Sequence, residues 1–334
     1  MVQVLLLYGD MPAEAVELLQ REAQIIGPFR PQDDWRTPLK EADALVTGSQ
    51  LKFTPEILDG APRLRVMGRP GIGVDNIDLA AATERGICVV NTPDAPTEPV
   101  AEKVVGWILM LAHRLREADR VARGAGWQER GTLRGHDLVG KTLGLIGVGR
   151  VGGRVAQICS AALRMRVLAY DPYVNPARAF LLGLEPAPSL DELLPTADFV
   201  SLHCPLTDET RGMLGERELR MMKPTAYLVN AARAPIVREA ALLRALREGW
   251  IAGAAIDVFP SEPPPPEHPL LALDNVILSP HVASFTHEGV MRMSMDSAEQ
   301  VLMVLRGERP PNLVNPEVWE KRRQRPGSWV NTGQ

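Results

Sequence analysis

Thr142–Gly153, TLGLIGVGRVGG, places an apolar run, a G-x-G-x-x-G and the start of a helical pattern in immediate succession. That order says more than the glycines alone. The run ending at Ile146 reads as a buried strand, and each glycine then has its own task. Gly147 takes the tight turn, Gly149 admits a pyrophosphate close to the backbone, and Gly152 lets the next helix pack against the strand. The N-terminus of that helix faces the phosphates, which adds Arg150 and Val151 to the expected binding set. Such a site also needs an acid at the end of the following strand to hold the adenine ribose. The run RVLAY delivers Asp171 there, about twenty residues beyond Gly152. Strand, turn, helix and acid together predict a dinucleotide site.

The chain has 334 residues, too many for one ordinary core and suited to two domains. Its 37 basic and 41 acidic side chains leave a formal charge of −4, which gives no broad basic field for nucleic acid or a membrane surface. An anionic substrate must therefore meet local positive groups. Cys88, Cys159 and Cys204 are scattered, odd in number and without metal-ligand spacing, so neither a disulfide framework nor a metal is expected and a reducing cytoplasm fits. The opening MVQVLLLYGD carries no basic leader, and its apolar run is too short to span a membrane; it reads as a first strand.

Strand-like runs VQVLLLY, ADALVTG, RLRVMG and ICVVNT alternate with helical segments around Ala13 to Ala23, Thr54 to Gly60 and Asn76 to Arg85. This alternation predicts a parallel sheet covered on both faces. A long helix is expected from about Pro99 to Arg123, with Val104, Ile108, Leu111 and Leu115 on one face. After the glycine-rich unit, alternation resumes through RVLAYD, ADFVSLHC, TAYLVNAA, GAAIDVF and NVILSPH, and a last helix runs over Gly289 to Leu305. The expected architecture is α/β, with two doubly wound parallel sheets. A discontinuous flavodoxin-like substrate domain comprises residues 1–97 and 287–334, and a Rossmann domain comprises residues 98–286. Crossings near Thr97 and Thr286 would form a hinge. EPPPPEHP, from Glu262 to Pro269, reads as a rigid loop rather than a proline-recognition ligand, and KRRQR at 321–325 as a solvated tail. Met291, Met293 and Met295 read as flexible packing, and Trp107 and Trp127 as packing at or near the long helix.

Ligands of open α/β sheets bind beyond the carboxyl ends of the strands. Ionisable residues recur there: Arg233 after TAYLVNAA, Glu262 after AAIDVFPS and His281 after NVILSP. Alone, each has a plain structural explanation; together they suit hydride chemistry at a carbonyl. Histidine can deliver the proton, a carboxylate can orient and stabilise the charged ring, and an arginine fork can hold or polarise the substrate. His281 is the expected acid/base, Glu262 its partner and Arg233 the anchor. A second glycine-rich turn, GRPGIGVDN from Gly68 to Asn76, also ends a strand. It is either a small-anion site or a simple tight turn.

These blocks resemble the D-isomer-specific 2-hydroxyacid dehydrogenases from about Ala42 to Asn315: GRPGIGVDNID, NTP with PVAE, DLVGKTLGLIGVGRVG, SLHCPLTDET, LVNAAR, AAIDVFPSEP and SPHVAS. The resemblance implies NAD as cofactor, homodimers built on the 99–123 helix and a catalytic set at Arg233, Glu262 and His281. It implies that Gly71, Ile72, Gly73 and Val74, with Arg69 nearby, receive the substrate carboxylate. It also implies that Asp257 holds the nicotinamide carboxamide, that Thr97 lies near the cofactor, and that His203, Cys204 and Pro205, with Thr210 and Ala231, complete the cofactor site.

Asp171 followed by Pro172 resembles members that prefer NAD, since an acid there repels the NADP phosphate. Formate dehydrogenases carry glutamine where Glu262 stands, which argues against formate. The GRPGIGVDNID block is most similar to phosphoglycerate dehydrogenases, but GSQLKFT begins with Gly48 where those enzymes commonly place an arginine for the phosphate. Ala234 replaces the glycine that usually follows the catalytic arginine. The expected activity interconverts a 2-oxo acid and a D-2-hydroxy acid with NAD, in the manner of a phosphoglycerate dehydrogenase or a hydroxypyruvate or glyoxylate reductase. The alternative is an NAD(H)-sensing corepressor on the same fold.

Overall fold

The computed structural model describes residues 2–124 and 126–323. The chain forms two compact units: residues up to Pro96 with those from Phe285 onward, and Thr97–Ser284. In the first unit, β1 (Gln3–Leu7), β2 (Gln24–Ile26), β3 (Ala44–Thr47), β4 (Val66–Arg69) and β5 (Cys88–Asn91) form an all-parallel sheet in the order β2-β1-β3-β4-β5. This is the flavodoxin-like order. Both faces are buried, which explains why the strands read as unbroken apolar runs. Leu5, Leu45, Met67 and Val89 join the core on one face, while Val4, Val46, Val66 and Val90 join that on the other. The helix His287–Arg306 covers the second face through Ala298, Val301 and Leu302. Thr286 caps its start by accepting a hydrogen bond from the Gly289 amide at 2.9 Å, and Gly307 ends it in the left-handed region.

The second unit holds β6 (Thr142–Ile146), β7 (Arg166–Tyr170), β8 (Glu185–Pro186), β9 (Phe199–Leu202), β10 (Tyr227–Asn230), β11 (Gly253–Ile256) and β12 (Val276–Leu278). Their order is β12-β11-β10-β9-β6-β7-β8, again all parallel. The winding reverses between β6 and β9, the switch point where doubly wound sheets hold nucleotides. The helices Thr97–Ala112 and Arg150–Ala161 share one core with the inner face of β6, through Val104, Trp107, Ile108, Val155 and Leu145.

Several expectations need correction. The helix expected over 99–123 is two helices, Thr97–Ala112 and Leu115–Arg123, separated by Arg114 at φ 52°. The Ala112 carbonyl accepts the His136 amide at 2.8 Å. Gly135 lies so close that a Cβ there would sit 2.5 Å from that oxygen. A tertiary contact therefore ends the first helix, with no glycine or proline in 112–115 to announce it. Trp107 is buried as packing, but Trp127 is 61% exposed. The edge strands β2 and β8 were not expected; they have three and two residues, too few to show a period. Arg323 is no solvated tail residue: its guanidinium donates to the carbonyls of Ala61 and Leu64. Gln324 and Arg325 of the same run lie outside the described residues. Among the described residues, no helix is long and apolar enough to cross a membrane.

Candidate active site

At the end of β6, Gly147 adopts φ +93°, and a Cβ there would lie 2.6 Å from the Cys204 nitrogen. A Cβ on Gly152 would lie 2.3 Å from the Gly147 carbonyl oxygen. Both glycines are demanded by the protein's own packing. Gly149 differs: nothing lies within 4 Å of the position its Cβ would take. That open backbone, at the N-terminus of Arg150–Ala161, fits a pyrophosphate. Asp171 follows β7, and its carboxylate accepts the Val148 amide at 2.7 Å and the Tyr173 amide at 2.9 Å. The acid expected to hold a ribose thus also closes the glycine-rich turn.

Beyond β9, His203 Nε2 lies 2.9 Å from the buried Ser201 hydroxyl. Burial pushes the imidazole pKa down to about 4, so His203 is neutral near pH 7, and burial pushes the Cys204 thiol up to about 11. Thr210 donates to the Pro205 carbonyl at 2.7 Å and shapes that loop. Thr97 Oγ1 is buried and has no hydrogen-bond partner among the described residues.

Three strand ends carry the ionisable set. After β10, buried Asn230 fixes the turn through the Ala231–Arg233 segment: its carboxamide accepts the Ala232 amide at 3.0 Å and donates to the Arg233 carbonyl at 3.1 Å. Arg233 itself donates to the Ala232 carbonyl at 2.8 Å. Ala234 opens the short 3-10 turn Ala234–Ile236 and is not among the positive-φ residues, so its methyl imposes no backbone cost.

His281 is held at φ 56°, a conformation that costs an ordinary residue about 1–3 kcal/mol and persists only where its surroundings enforce it. Here Asp257 enforces it. Its carbonyl accepts the His281 amide at 2.8 Å, and its two carboxylate oxygens accept the amides of Val282 and Ala283, each at 3.0 Å. Asp257 is fully buried, and both of its carboxylate oxygens are engaged in fixing the histidine loop.

His281 Nδ1 lies 2.7 Å from Glu262 Oε2, with about a third of each side chain exposed. Glu262 Oε1 accepts the Phe259 amide at 3.2 Å. Burial works against ionisation of Glu262. The hydrogen bond and charge of His281, the Phe259 amide and the Arg233 charge outweigh it and hold the carboxyl below the usual carboxylate range. A carboxylate only accepts, so the shared proton sits on Nδ1 and Nε2 is the nitrogen presented for exchange.

In the first unit, Gly71 sits at φ +129° beyond β4, and its amide donates to Thr92 Oγ1 at 2.7 Å. That amide is engaged within the chain. The amides of Ile72, Gly73 and Val74 make no hydrogen bond among the described residues. Asn91 steadies the loop by donating to the Ile72 carbonyl at 2.7 Å. Arg69 is buried and donates to the Pro70 carbonyl. Thr92 and Asn230 were missed by sequence reasoning, since a threonine or asparagine near a strand end has no distinguishing pattern.

A doubly wound sheet with an open glycine at its switch point, and with a histidine–carboxylate pair and an arginine past the ends of other strands of the same sheet, defines a dinucleotide-dependent oxidoreductase. Residues 105–283 match the family described as D-isomer specific 2-hydroxyacid dehydrogenase, NAD binding domain, and the chain belongs to that family. A glyoxylate reductase of Korarchaeum cryptofilum is 46% identical over 84% of this chain and 85% of its own. A D-3-phosphoglycerate dehydrogenase of Methanocaldococcus jannaschii is 40% identical over 93% of this chain but 59% of its own. The structure of an Aquifex aeolicus D-lactate dehydrogenase with NAD and lactic acid superposes with a TM-score of 0.84 at 29% identity, over 94% of this chain and 99% of that one. The protein is an NAD-dependent oxidoreductase that interconverts a 2-oxo acid and a 2-hydroxy acid. Nothing among these likenesses supports the nucleotide-sensing alternative.

Proposed function

We propose that the protein reduces a small unphosphorylated 2-oxo acid, of the size of glyoxylate or hydroxypyruvate, to its D-2-hydroxy acid. The observation that carries the chemistry is the 2.7 Å His281–Glu262 pair beside Arg233. Bound NADH supplies the hydride. Arg233 polarises the substrate carbonyl, and the Ile72, Gly73 and Val74 amides take the substrate carboxylate. Protonated His281 releases its Nε2 proton to the carbonyl oxygen as that oxygen becomes a hydroxyl. The imidazole is left neutral and still donates from Nδ1 to Glu262, which keeps the ring aimed for reprotonation.

The small-substrate reading rests on the loop after β3. Gly48 stands there with the Tyr8 ring 3.5 Å from where its Cβ would be, and its carbonyl accepts from Asn76 at 3.1 Å. An aromatic ring and an amide make a poor phosphate site, which calls for cationic forks. NAD is preferred over NADP because Asp171 opposes an extra phosphate. Two copies pair through the 97–123 region: Leu115–Arg123 buries none of its residues within the chain, and Leu115 is 48% exposed. Light scattering should give twice the chain mass.

The direct test is NADH oxidation against glyoxylate, hydroxypyruvate, phosphohydroxypyruvate and 2-oxoisocaproate. Glyoxylate or hydroxypyruvate should lead in kcat/KM; a lead for phosphohydroxypyruvate would refute the small-substrate reading. His281→Ala should lower kcat by at least about a hundredfold while NADH affinity is kept, and unchanged turnover would remove the mechanism. A lowered Glu262 pKa means that its contribution is complete above the ordinary carboxylate value and fades as pH falls through the lowered one. The acid limb of kcat/KM should therefore lie below the ordinary carboxylate range and vanish in Glu262→Gln.

A further inference from the structure

We propose that Glu239 and His268 form a positioning pair for Glu262, clamping the proline-rich segment that carries it. The inference rests on the reading of Glu262 and His281 as the acid/base couple. His268 is 9% exposed, with Nε2 2.5 Å from Glu239 Oε1. Its Nδ1 accepts the Leu270 amide at 3.3 Å, so the proton sits on Nε2 and is donated to Glu239. His268 touches the segment twice, once through its backbone amide and once through its ring. At the far end its amide donates to the Pro265 carbonyl at 2.9 Å. At the near end its ring stands edge-on to Phe259, with centroids 5.6 Å apart at 90°.

Phe259 is the residue whose amide donates to Glu262 Oε1. Between the two ends lie Pro260, Pro263, Pro264, Pro265 and Pro266, each with φ fixed by its ring. A chain this stiff has little freedom to absorb movement at one end, so a shift at His268 reaches Glu262 and weakens its hold on His281. Glu239 opens the helix Glu239–Arg247, where the helix dipole favours its negative charge. Neither Glu239 nor His268 contacts the reacting atoms in this scheme; both act through Glu262.

The experiment compares Glu239→Ala, Glu239→Gln, Glu262→Gln and the Glu239→Ala/Glu262→Gln double variant for kcat, both KM values, the pH profile and Tm. Glu239→Ala should lower kcat about tenfold, within the range expected for small misplacements of a catalytic group. KM for NADH should hold, and the acid limb should move up toward the ordinary carboxylate range. Glu239→Gln still offers an oxygen to Nε2–H and should restore most of kcat and the wild-type limb. In the Glu262→Gln background, Glu239→Ala should add almost nothing, because its effect travels through the carboxylate already removed. Additive losses, or a lower Tm with kcat and the limb unchanged, would overturn the positioning pair alone. A Glu262→Gln enzyme with full turnover and an unmoved limb would overturn the acid/base reading beneath it.

Discussion

The two glycine-rich turns, one ending β4 and the other ending β6, solve the same problem with anchors of different charge, one neutral and one negative. Each leaves a parallel strand, turns through a positive-φ glycine and presents backbone amides beyond the carboxyl end of the sheet. The first is tied by a neutral group: Thr92 Oγ1 accepts the Gly71 amide at 2.7 Å. The second is tied by an anion: Asp171 accepts the Val148 amide at the same distance. On the proposed reading, a carboxylate must rest on the first turn, where a fixed negative charge would repel it. The second turn's acid is meant to face ribose hydroxyls, which a carboxylate can accept. The anchors therefore match the ligands that each turn is proposed to take.

The largest effect should come from the turn whose glycines are locked by packing. Gly152→Ala drives a methyl to 2.3 Å from a backbone oxygen that no rotamer change can move. We expect a stability loss of about 3 kcal/mol, the upper end of the usual range for overpacked cores because the clash is with backbone, with loss of NADH binding; an unchanged Tm would show that the turn is softer than its packing indicates. Gly149→Ala should separate binding from folding. The methyl meets empty space and φ is −68°, so Tm should hold, while NADH affinity should fall by about ten- to a hundredfold, or 1.4–2.7 kcal/mol. Unchanged NADH affinity would mean that the pyrophosphate does not pass there.

The second turn was legible in the sequence because everything it needs is local: an apolar run, three glycines, a helix and an acid at a fixed remove. The order of the three ionisable residues along the sheet was legible for the same reason, since each lies only a few residues past its strand. What escaped was held by distant partners. The left-handed backbone of His281 depends on Asp257, the helix break at Arg114 on Gly135 and His136, and the Glu239–His268 contact on residues 29 apart. No periodicity or propensity encodes such contacts. In the GRPGIGVDN turn the sequence left two readings open, because the Gly71 amide is consumed by Thr92 while its neighbours are not, and that division depends on β5 pairing beside β4.

Thr92→Val probes that division. The valine keeps the shape and removes the acceptor, so the buried Gly71 amide loses its partner, at a cost of about 1–3 kcal/mol. If the neighbouring amides bind the substrate, KM for the 2-oxo acid should rise more than KM for NADH. Equal rises, or a rise in the NADH value alone, would detach this turn from the substrate.

The smallest change should be the most selective. Asp171→Asn keeps an oxygen that can accept the Val148 amide, so the turn should stay closed and Tm should move little. The charge is lost, and with it the second acceptor, which serves only the exposed Tyr173 amide. If the carboxylate rejects NADP by repelling its phosphate, the ratio of kcat/KM for NADH over NADPH should shrink by about tenfold, equivalent to 1.4 kcal/mol. The NADH value itself should fall less than the NADPH value rises, since the amide still bonds a ribose hydroxyl. A ratio that stays fixed would mean that Asp171 serves the turn and not the choice of cofactor, and the contrast between the two anchors would then be one of packing rather than of charge.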